Sequence, residues 1–578
     1  MGALALSADR LFADPPLPVV VDAVTDRFRP LPFDQEKLAG LLAGRLRANS
    51  EGYLEHIDDQ LFMHSSETGL GEPGAAGFGE QAGRFLEASA NAYEFRPDEQ
   101  LRVVMDRVAK QVIAAQTSGR HLAGHTAGEP WETHDLLVHK YDLLGLLAYY
   151  RVSDDENALA AARKIGDLLL RVSAKSSAGR SEYRRTTTLV EPLVALYRYT
   201  EESRYLDLCR VAAEAWLQSK ETHGDPTSEN LSDLHGLIEL YRVTGDESYF
   251  RPVSAAWTEV RNNWLSLTGN PLSNGGGSTA DESKNGGDAC ATLAWIQLTL
   301  NLLRITGDAQ YAEQLEHTIY NQLFAAQDPN TGAILASVPL NGSKQAAPHS
   351  DPCVSSEAQG MALIPSAVWG RYGNGIAVVL YNAGRATFKL SRRGTVQLYS
   401  EAAFPESGDF LLHVEPAHNI RFPLRLRVPE WTSKFAVEIG GSHLIGRPGD
   451  FLTLNREWKP GDTVKISIDM TVRVVSGSPD YPDQIAIERG PQVLALASAL
   501  NPQLKELAEV SLIAEDGSRP KLAPLAGKLP SNWQGDQAYT TAGAYQGKSQ
   551  QLVLAPFADA KTYRVWLKRP SASTAGTK

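Results

Sequence analysis

The chain has 578 residues, 43% of them apolar, and a formal net charge of −12; it is too long for a single core and sets two to four globular domains. No run of five or six like charges occurs and no window approaches roughly 18 uninterrupted apolar residues, so the expected partners include no nucleic acid and no membrane. Three cysteines cannot build a disulfide framework in so long a chain, and an odd number leaves at least one thiol for packing, metal or chemistry.

Read from its start, Met1-Gly-Ala-Leu-Ala-Leu-Ser-Ala looks like the tail of a signal peptide ending near Ala13, which points to a periplasmic or secreted protein, with a cytoplasmic one left open. A Pro-rich stretch, Pro15 to Pro32, completes an entry segment over 1–34, and helical periodicity begins with a helix expected over Gln35 to Ala48. A repeat then appears: Glu94-Phe-Arg-Pro-Asp98, Arg151-Val-Ser-Asp-Asp155, Arg198-Tyr-Thr-Glu-Glu202, Arg242-Val-Thr-Gly-Asp246 and Arg304-Ile-Thr-Gly-Asp308. Their last residues lie 57, 47, 44 and 62 apart, which fits one helix pair plus a variable loop. Each motif ends one helix with turn-forming residues and opens the next with a side-chain oxygen able to cap free N–H groups. About twelve helices result. The expected fold is therefore α+β and multidomain, beginning with an (α/α)6 toroid over 35–365, because a closed ring of helix pairs buries both layers without capping repeats.

After Pro365 the period changes to two. Gly375-Ile-Ala-Val-Val-Leu-Tyr, Thr395-Val-Gln-Leu-Tyr, Phe410-Leu-Leu-His-Val, Ile420-Arg-Phe-Pro-Leu-Arg-Leu-Arg-Val and Val464-Lys-Ile-Ser-Ile predict a β-sandwich over 366–483. A looser β-rich segment follows over 484–570, and the Ser/Thr/Gly tail 571–578 reads as disordered.

Two stretches concentrate chemistry. The Gly-rich loop from Asn274 carries Asp281 and Glu282 and ends on Asp288-Ala-Cys290; with His349-Ser-Asp-Pro-Cys353-Val-Ser-Ser-Glu357 it reads as two ends of one site. The other, His121 to Lys140, holds four histidines with Trp131, Glu132, His134 and His139, a composition suited to stacking a sugar ring and bonding its hydroxyls. The bland readings are thiols that merely pack, solvated loop acids, helix caps and surface charge. Cys209, among Leu206, Leu208 and Val211, reads as packing alone.

Gly79-Glu-Gln-Ala-Gly-Arg-Phe-Leu-Glu-Ala, His235-Gly-Leu-Ile-Glu-Leu-Tyr-Arg-Val-Thr-Gly-Asp, Asp288-Ala-Cys290-Ala-Thr, Leu315-Glu-His-Thr-Ile-Tyr-Asn321, Cys353-Val-Ser-Ser, Leu424-Arg-Leu-Arg-Val-Pro-Glu-Trp431 and Arg489-Gly-Pro491 come in an order and spacing that resembles glycoside hydrolase family 127, the β-L-arabinofuranosidase family. The resemblance covers most of the chain. It implies an (α/α)6 barrel followed by β-sandwich domains, and a zinc site of Glu-Thr-Cys plus a Cys-Cys pair whose first Cys is the nucleophile and whose acid/base is a preceding Glu. Here those motifs read Asp288-Ala289-Cys290 and Pro352-Cys353, so the nucleophile position carries no reactive atom and three metal candidates remain, Asp288, Cys290 and Cys353. The expectation is that Cys290 and Cys353 lie near each other in the pocket floor without a tightly held zinc; a slide of one residue would make Cys353 the nucleophile. The resemblance further implies Glu282 as general acid, with Asp281 beside it, and matches His235 and Glu316 to substrate-contacting positions; each could equally be a satisfied buried polar group.

Two functions follow. One is a glycosidase acting on a plant or microbial oligosaccharide with an altered Cys/zinc site, or a related carbohydrate-cleaving enzyme on the same fold that has shifted to carboxylate or histidine chemistry; the other is a non-catalytic carbohydrate-binding relative that has lost the nucleophile. Survival of titratable pairs favours the enzyme. Its partner is a carbohydrate substrate, and a homodimer stays open.

Overall fold

The computed structural model describes residues 16–58, 62, 79–116, 133–175, 187–218, 225–272, 288–347, 353–390, 394–477, 482–513, 519–531 and 533–569. Within these, twelve α-helices come first: α1 Gly40–Arg47, α2 Glu80–Phe95, α3 Glu99–Ala115, α4 Thr133–Ser153, α5 Glu156–Lys175, α6 Val190–Thr200, α7 Ser203–Gln218, α8 Ser228–Thr244, α9 Glu247–Asn263, α10 Ala289–Thr306, α11 Ala309–Thr318 and α12 Cys353–Ala362. The even-numbered helices pack on one another in succession, α2 on α4, then α6, α8, α10 and α12, and α12 packs back on α2. Each odd-numbered helix packs on an even one, α3 on α2, α5 on α4, α7 on α6, α9 on α8, α11 on α10 and α1 on α12.

The repeat seen in the sequence is one recurring turn. The helix ends on a left-handed residue, Asp154, Glu201, Gly245 or Gly307, whose N–H returns to a carbonyl four residues back at 2.7–2.8 Å. The residue after it opens the next helix, and Asp246 caps Ser248 N–H at 2.9 Å. Thr200, Thr244 and Thr306 close the last turn by donating to the carbonyls of Leu196, Leu240 and Leu302. One close approach needs glycine: a Cβ on Gly83 would lie 2.1 Å from the Tyr141 carbonyl, and one on Gly145 2.4 Å from that of Gly83. That fit brings α2 and α4 into backbone contact.

The arginines of the repeat gather at the C-terminal ends of the even helices. Residues 19–26 lie across these ends: Val19 and Val24 donate N–H to the carbonyls of Arg198 and Arg242 at 2.9 and 3.0 Å. Asp22 meets Arg198 at 2.9 Å, and Asp26 meets both Arg242 at 3.0 Å and Arg304 at 2.9 Å.

A β-rich region follows. One sheet orders Phe28–Pro30, Trp369–Tyr372, Gly375–Val378, Ile420–Val428 and Asp450–Trp458; a second runs from Ser442–Gly446 to Gly384–Lys389 and ends on Glu36–Leu38. The helix expected from Gln35 therefore starts only at Gly40, because Glu36–Leu38 is taken into a sheet by pairing with Gly384–Ala386. Glu36 is buried with neither carboxyl oxygen bonded among the described residues, and burial raises its pKa well above the usual range. A third sheet joins Val472–Ser476, Gln484–Arg489, Gln492–Ala497 and the strands up to Leu567–Lys568 with Asn341–Ser343 from the helical part.

Candidate active site

The N-terminal halves of all six even helices carry polar side chains that converge at the end opposite the arginines. Glu80, Arg84 and Glu87 come from α2, Lys140 and Tyr141 from α4, Glu191 from α6, Ser232 and His235 from α8, Asp288 and Cys290 from α10, Ser356 and Glu357 from α12. The exposed N–H groups and dipoles of helix N-termini favour anions there.

One half of the cluster is built around Ser356. Its Oγ accepts from Arg84 Nη1 at 2.7 Å and lies 3.5 Å from Cys290 Sγ. The Arg84 guanidinium lies over the Tyr141 ring, 3.5 Å from its centroid. Asp288 caps α10, its Oδ1 accepting from Cys290 N–H at 2.8 Å and Ala291 N–H at 3.2 Å. Burial, and then the neighbouring Cys290, raise the pKa of Glu357 well above the carboxylate range.

The other half is an ion-pair chain. Glu191 takes Lys140 Nζ at 2.7 Å and His235 Nδ1 at 2.9 Å. Burial alone would raise its pKa, but Lys140 and His235 outweigh burial and hold it at about 2. Arg242 Nη1 donates to Asn301 Oδ1 at 2.7 Å, which turns the Asn301 amide nitrogen toward His235 Nε2 at 2.7 Å. Arginine has only donors, so Nε2 accepts and the ring carries its proton on Nδ1. Burial disfavours a second proton while Glu191 and Glu239 favour it and raise the ring's pKa; taking that proton would require Asn301 to turn over.

Glu87 differs from both. Half-buried on α2, its pKa is raised to about 7, first by burial and then by Glu191, against the pull of Arg151, His235 and Arg84. One carboxyl held near 7 beside one held near 2 is the pattern of a divided acid–base pair.

The residues singled out from sequence fall into three groups. Asp288, Cys290 and His235 are in this cluster. His139 and Glu316 are not. His139 is 0% exposed, with Nδ1 at 2.7 Å from the Asp135 carbonyl one turn earlier. Glu316 is committed to the β-rich region: it pairs with the fully buried Arg427 and accepts from Trp431 Nε1 at 2.8 Å. Trp131, Glu132, Asp281 and Glu282 lie outside the described residues, as do the side chains of His134 and Cys353, although α4 and α12 include their positions. Glu87, Arg84, Tyr141 and Glu191 were missed; the only signal was the placement of Arg84 and Glu87 within the Gly79 motif. Cys209 packs as expected, buried with Sγ at 3.6 Å from the Val190 carbonyl.

Comparison with known proteins places this arrangement. The family model described as the β-L-arabinofuranosidase GH127 catalytic domain matches residues 46–362, and that of the GH127 middle domain matches 375–470. A non-reducing end β-L-arabinofuranosidase of Bifidobacterium longum subsp. longum is 23% identical over 511 residues, covering 72% of this chain and 75% of that protein. The solved GH127 β-arabinofuranosidase BT3674 superposes with a TM-score of 0.79 at 20% identity, covering 94% of this chain and 98% of that one. The Ara127N β-L-arabinofuranosidase of Geobacillus stearothermophilus T6 gives 0.73 at 19% identity, covering 93% and 100%. The protein is thus a glycosidase, a helical domain followed by a β-rich one. It belongs to glycoside hydrolase family 127.

The zinc that the family implies takes four ligands in tetrahedral geometry. Among the described residues no group of three or more His, Cys, Asp or Glu could hold a metal. Asp288 Oδ1 is engaged as a helix cap, and a serine hydroxyl stands against Cys290 Sγ. Of the three metal candidates only Asp288 and Cys290 have described side chains, and two donors alone do not complete a four-ligand zinc site.

Proposed function

We propose that the enzyme hydrolyses a non-reducing-end β-L-arabinofuranosyl unit of an oligosaccharide by carboxyl chemistry rather than through a thioglycosyl intermediate. The reading of the substrate is supported by the family and by the names of its relatives; that of the mechanism is carried by the Glu87–Glu191 pair. Glu87, protonated near neutrality, gives its proton to the glycosidic oxygen as the bond to the anomeric carbon breaks. Glu191, ionised by Lys140 and His235, stabilises the positive charge that develops on the sugar; water then adds to the anomeric carbon and gives up a proton to the Glu87 carboxylate, which restores the acid. Arg84 and Tyr141 present donors and a ring face to the substrate.

The pocket that holds this chemistry we read as the open end of an (α/α)6 toroid whose β-rich partner is a sandwich. Succession of the even helices, with α12 returning to α2, supports that reading.

The test is a series of aryl and alkyl β-L-arabinofuranosides of graded leaving-group acidity. Glu87→Gln should lower turnover about 10² to 10⁴-fold on poor leaving groups and far less on nitrophenolate. A second reading, from the resemblance, makes Glu282 the acid with Asp281 beside it. If Glu282→Gln shows that leaving-group dependence and Glu87→Gln does not, the role passes to Glu282. Inactivity of Cys353→Ser alone would restore a cysteine nucleophile.

A further inference from the structure

We propose a second, non-catalytic glycan-binding site in the cleft where α1, the turn Ile319–Leu323 after α11, and the second and third sheets meet. The cleft has a volume of about 300 Å³, at the lower end of the range of roughly 300–1,000 Å³ usual for ligand pockets. None of its lining residues belongs to the catalytic cluster.

Two side chains that line this cleft carry a buried polar atom with no partner among the described residues. Tyr320 is 1% exposed and Gln492 4% exposed, and both line the cleft. Among the described residues neither Tyr320 OH nor Gln492 Oε1 has a hydrogen-bond partner. Leaving such a group unmade costs about 1–3 kcal/mol, so two together ask for a ligand that brings both a donor and an acceptor. A sugar hydroxyl is both.

The charge around the cleft selects a neutral ligand. Arg45 is its buried cation, but Nη1 is spent on the carbonyls of Phe324 and Gln327 at 3.0 and 3.1 Å, and Nη2 on Asp559 Oδ1 at 3.0 Å. Glu406 and Asp536 add carboxylates at the rim, which repel an anion. The remaining polar lining is amide, with Gln534 and Gln537 beside Gln492, and Phe404 supplies an apolar wall for ring C–H groups. The walls are fixed in advance: Arg489 holds the carbonyls of Pro405 and Glu406 at 3.2 and 3.0 Å, and Gln534 Nε2 donates to Asp328 at 2.7 Å. Amides, one apolar wall and paired charges describe a seat for a monosaccharide unit, held without cleavage on the outer side of the helical domain.

The glycosidase assignment enters only in the choice of sugars, and cleft binding is read apart from turnover. Crystals of the full chain are soaked in L-arabinose, D-galactose or D-xylose, and the same sugars are titrated calorimetrically. A sugar ring against Tyr320 and Gln492 is expected, with affinity for the cleft falling about tenfold in Gln492→Leu and in Tyr320→Phe, folding intact and hydrolysis of a small aryl glycoside unchanged. A cleft that holds only water in all three soaks overturns the proposal. So does occupancy undiminished in both variants, or a marked loss of stability in Tyr320→Phe, which would mean the hydroxyl already serves the fold.

Discussion

Glu87→Gln separates a poised acid from an ordinary structural carboxylate by stability as well as by rate. Glu87 ionises near 7 in the folded protein against an ordinary 4.5; at about 1.4 kcal/mol per pH unit the difference amounts to ~3 kcal/mol. The folded pKa is raised, so the folded state binds the extra proton and the full benefit is present below about 4.5. It is lost as pH rises through 7. Glutamine cannot ionise, so the variant should match the wild type near pH 4.5 and exceed it by up to ~3 kcal/mol at pH 8, while turnover collapses. Urea unfolding followed by tryptophan fluorescence at the two pH values measures it. Equal or lower stability of the variant at pH 8 would show that Glu87 is held ionised by partners, and the acid assignment would fall.

Lys140→Met removes the cation that holds Glu191 near 2. Because that folded pKa is depressed, its stabilisation is present above about 4.5 and lost as pH falls toward 2; the variant should unfold more easily by about 3 kcal/mol at pH 7 and show a flatter acid limb in urea titrations. Asp26→Asn leaves Arg242 and Arg304 facing each other and should cost about 2–4 kcal/mol by chemical denaturation, whereas Asp34→Asn at the surface should be neutral. Purified protein should carry clearly less than one zinc per chain by elemental analysis, and chelation should leave turnover in place; stoichiometric zinc lost together with activity would show the family's centre intact.

Much of the helical part was legible because its turns are chemical: a residue tolerant of left-handed backbone, followed by a capping oxygen, is written in Thr244-Gly-Asp246 and Thr306-Gly-Asp308. The strands 28–30 and 36–38 were not, since three residues carry no period and their partners lie more than three hundred positions away. The site was half legible. Asp288 and Cys290 stand in a recognisable motif, whereas Glu87 looks like any polar residue on an amphipathic helix until α2 meets α4, α6 and α8 in space. Glu316 misled for a physical reason: a carboxylate tied to Arg427 and Trp431 across a domain boundary is as tightly specified as one that touches substrate.

The two kinds of connection between helices differ in how much change they tolerate. Passage from an even to the following odd helix takes two residues at 154–155, 201–202, 245–246 and 307–308. An insertion there would displace the left-handed residue from its cap and rotate Arg198, Arg242 or Arg304 away from Asp22 and Asp26. Passage from an odd to the following even helix takes the long segments 116–132, 176–189, 219–227 and 264–288, each running into a helix start that carries the cluster. Lengthening or swapping these leaves every buttress of the helical domain in register. Substrate range in such a scaffold can drift by loop exchange alone, while the opposite face stays fixed as its foundation.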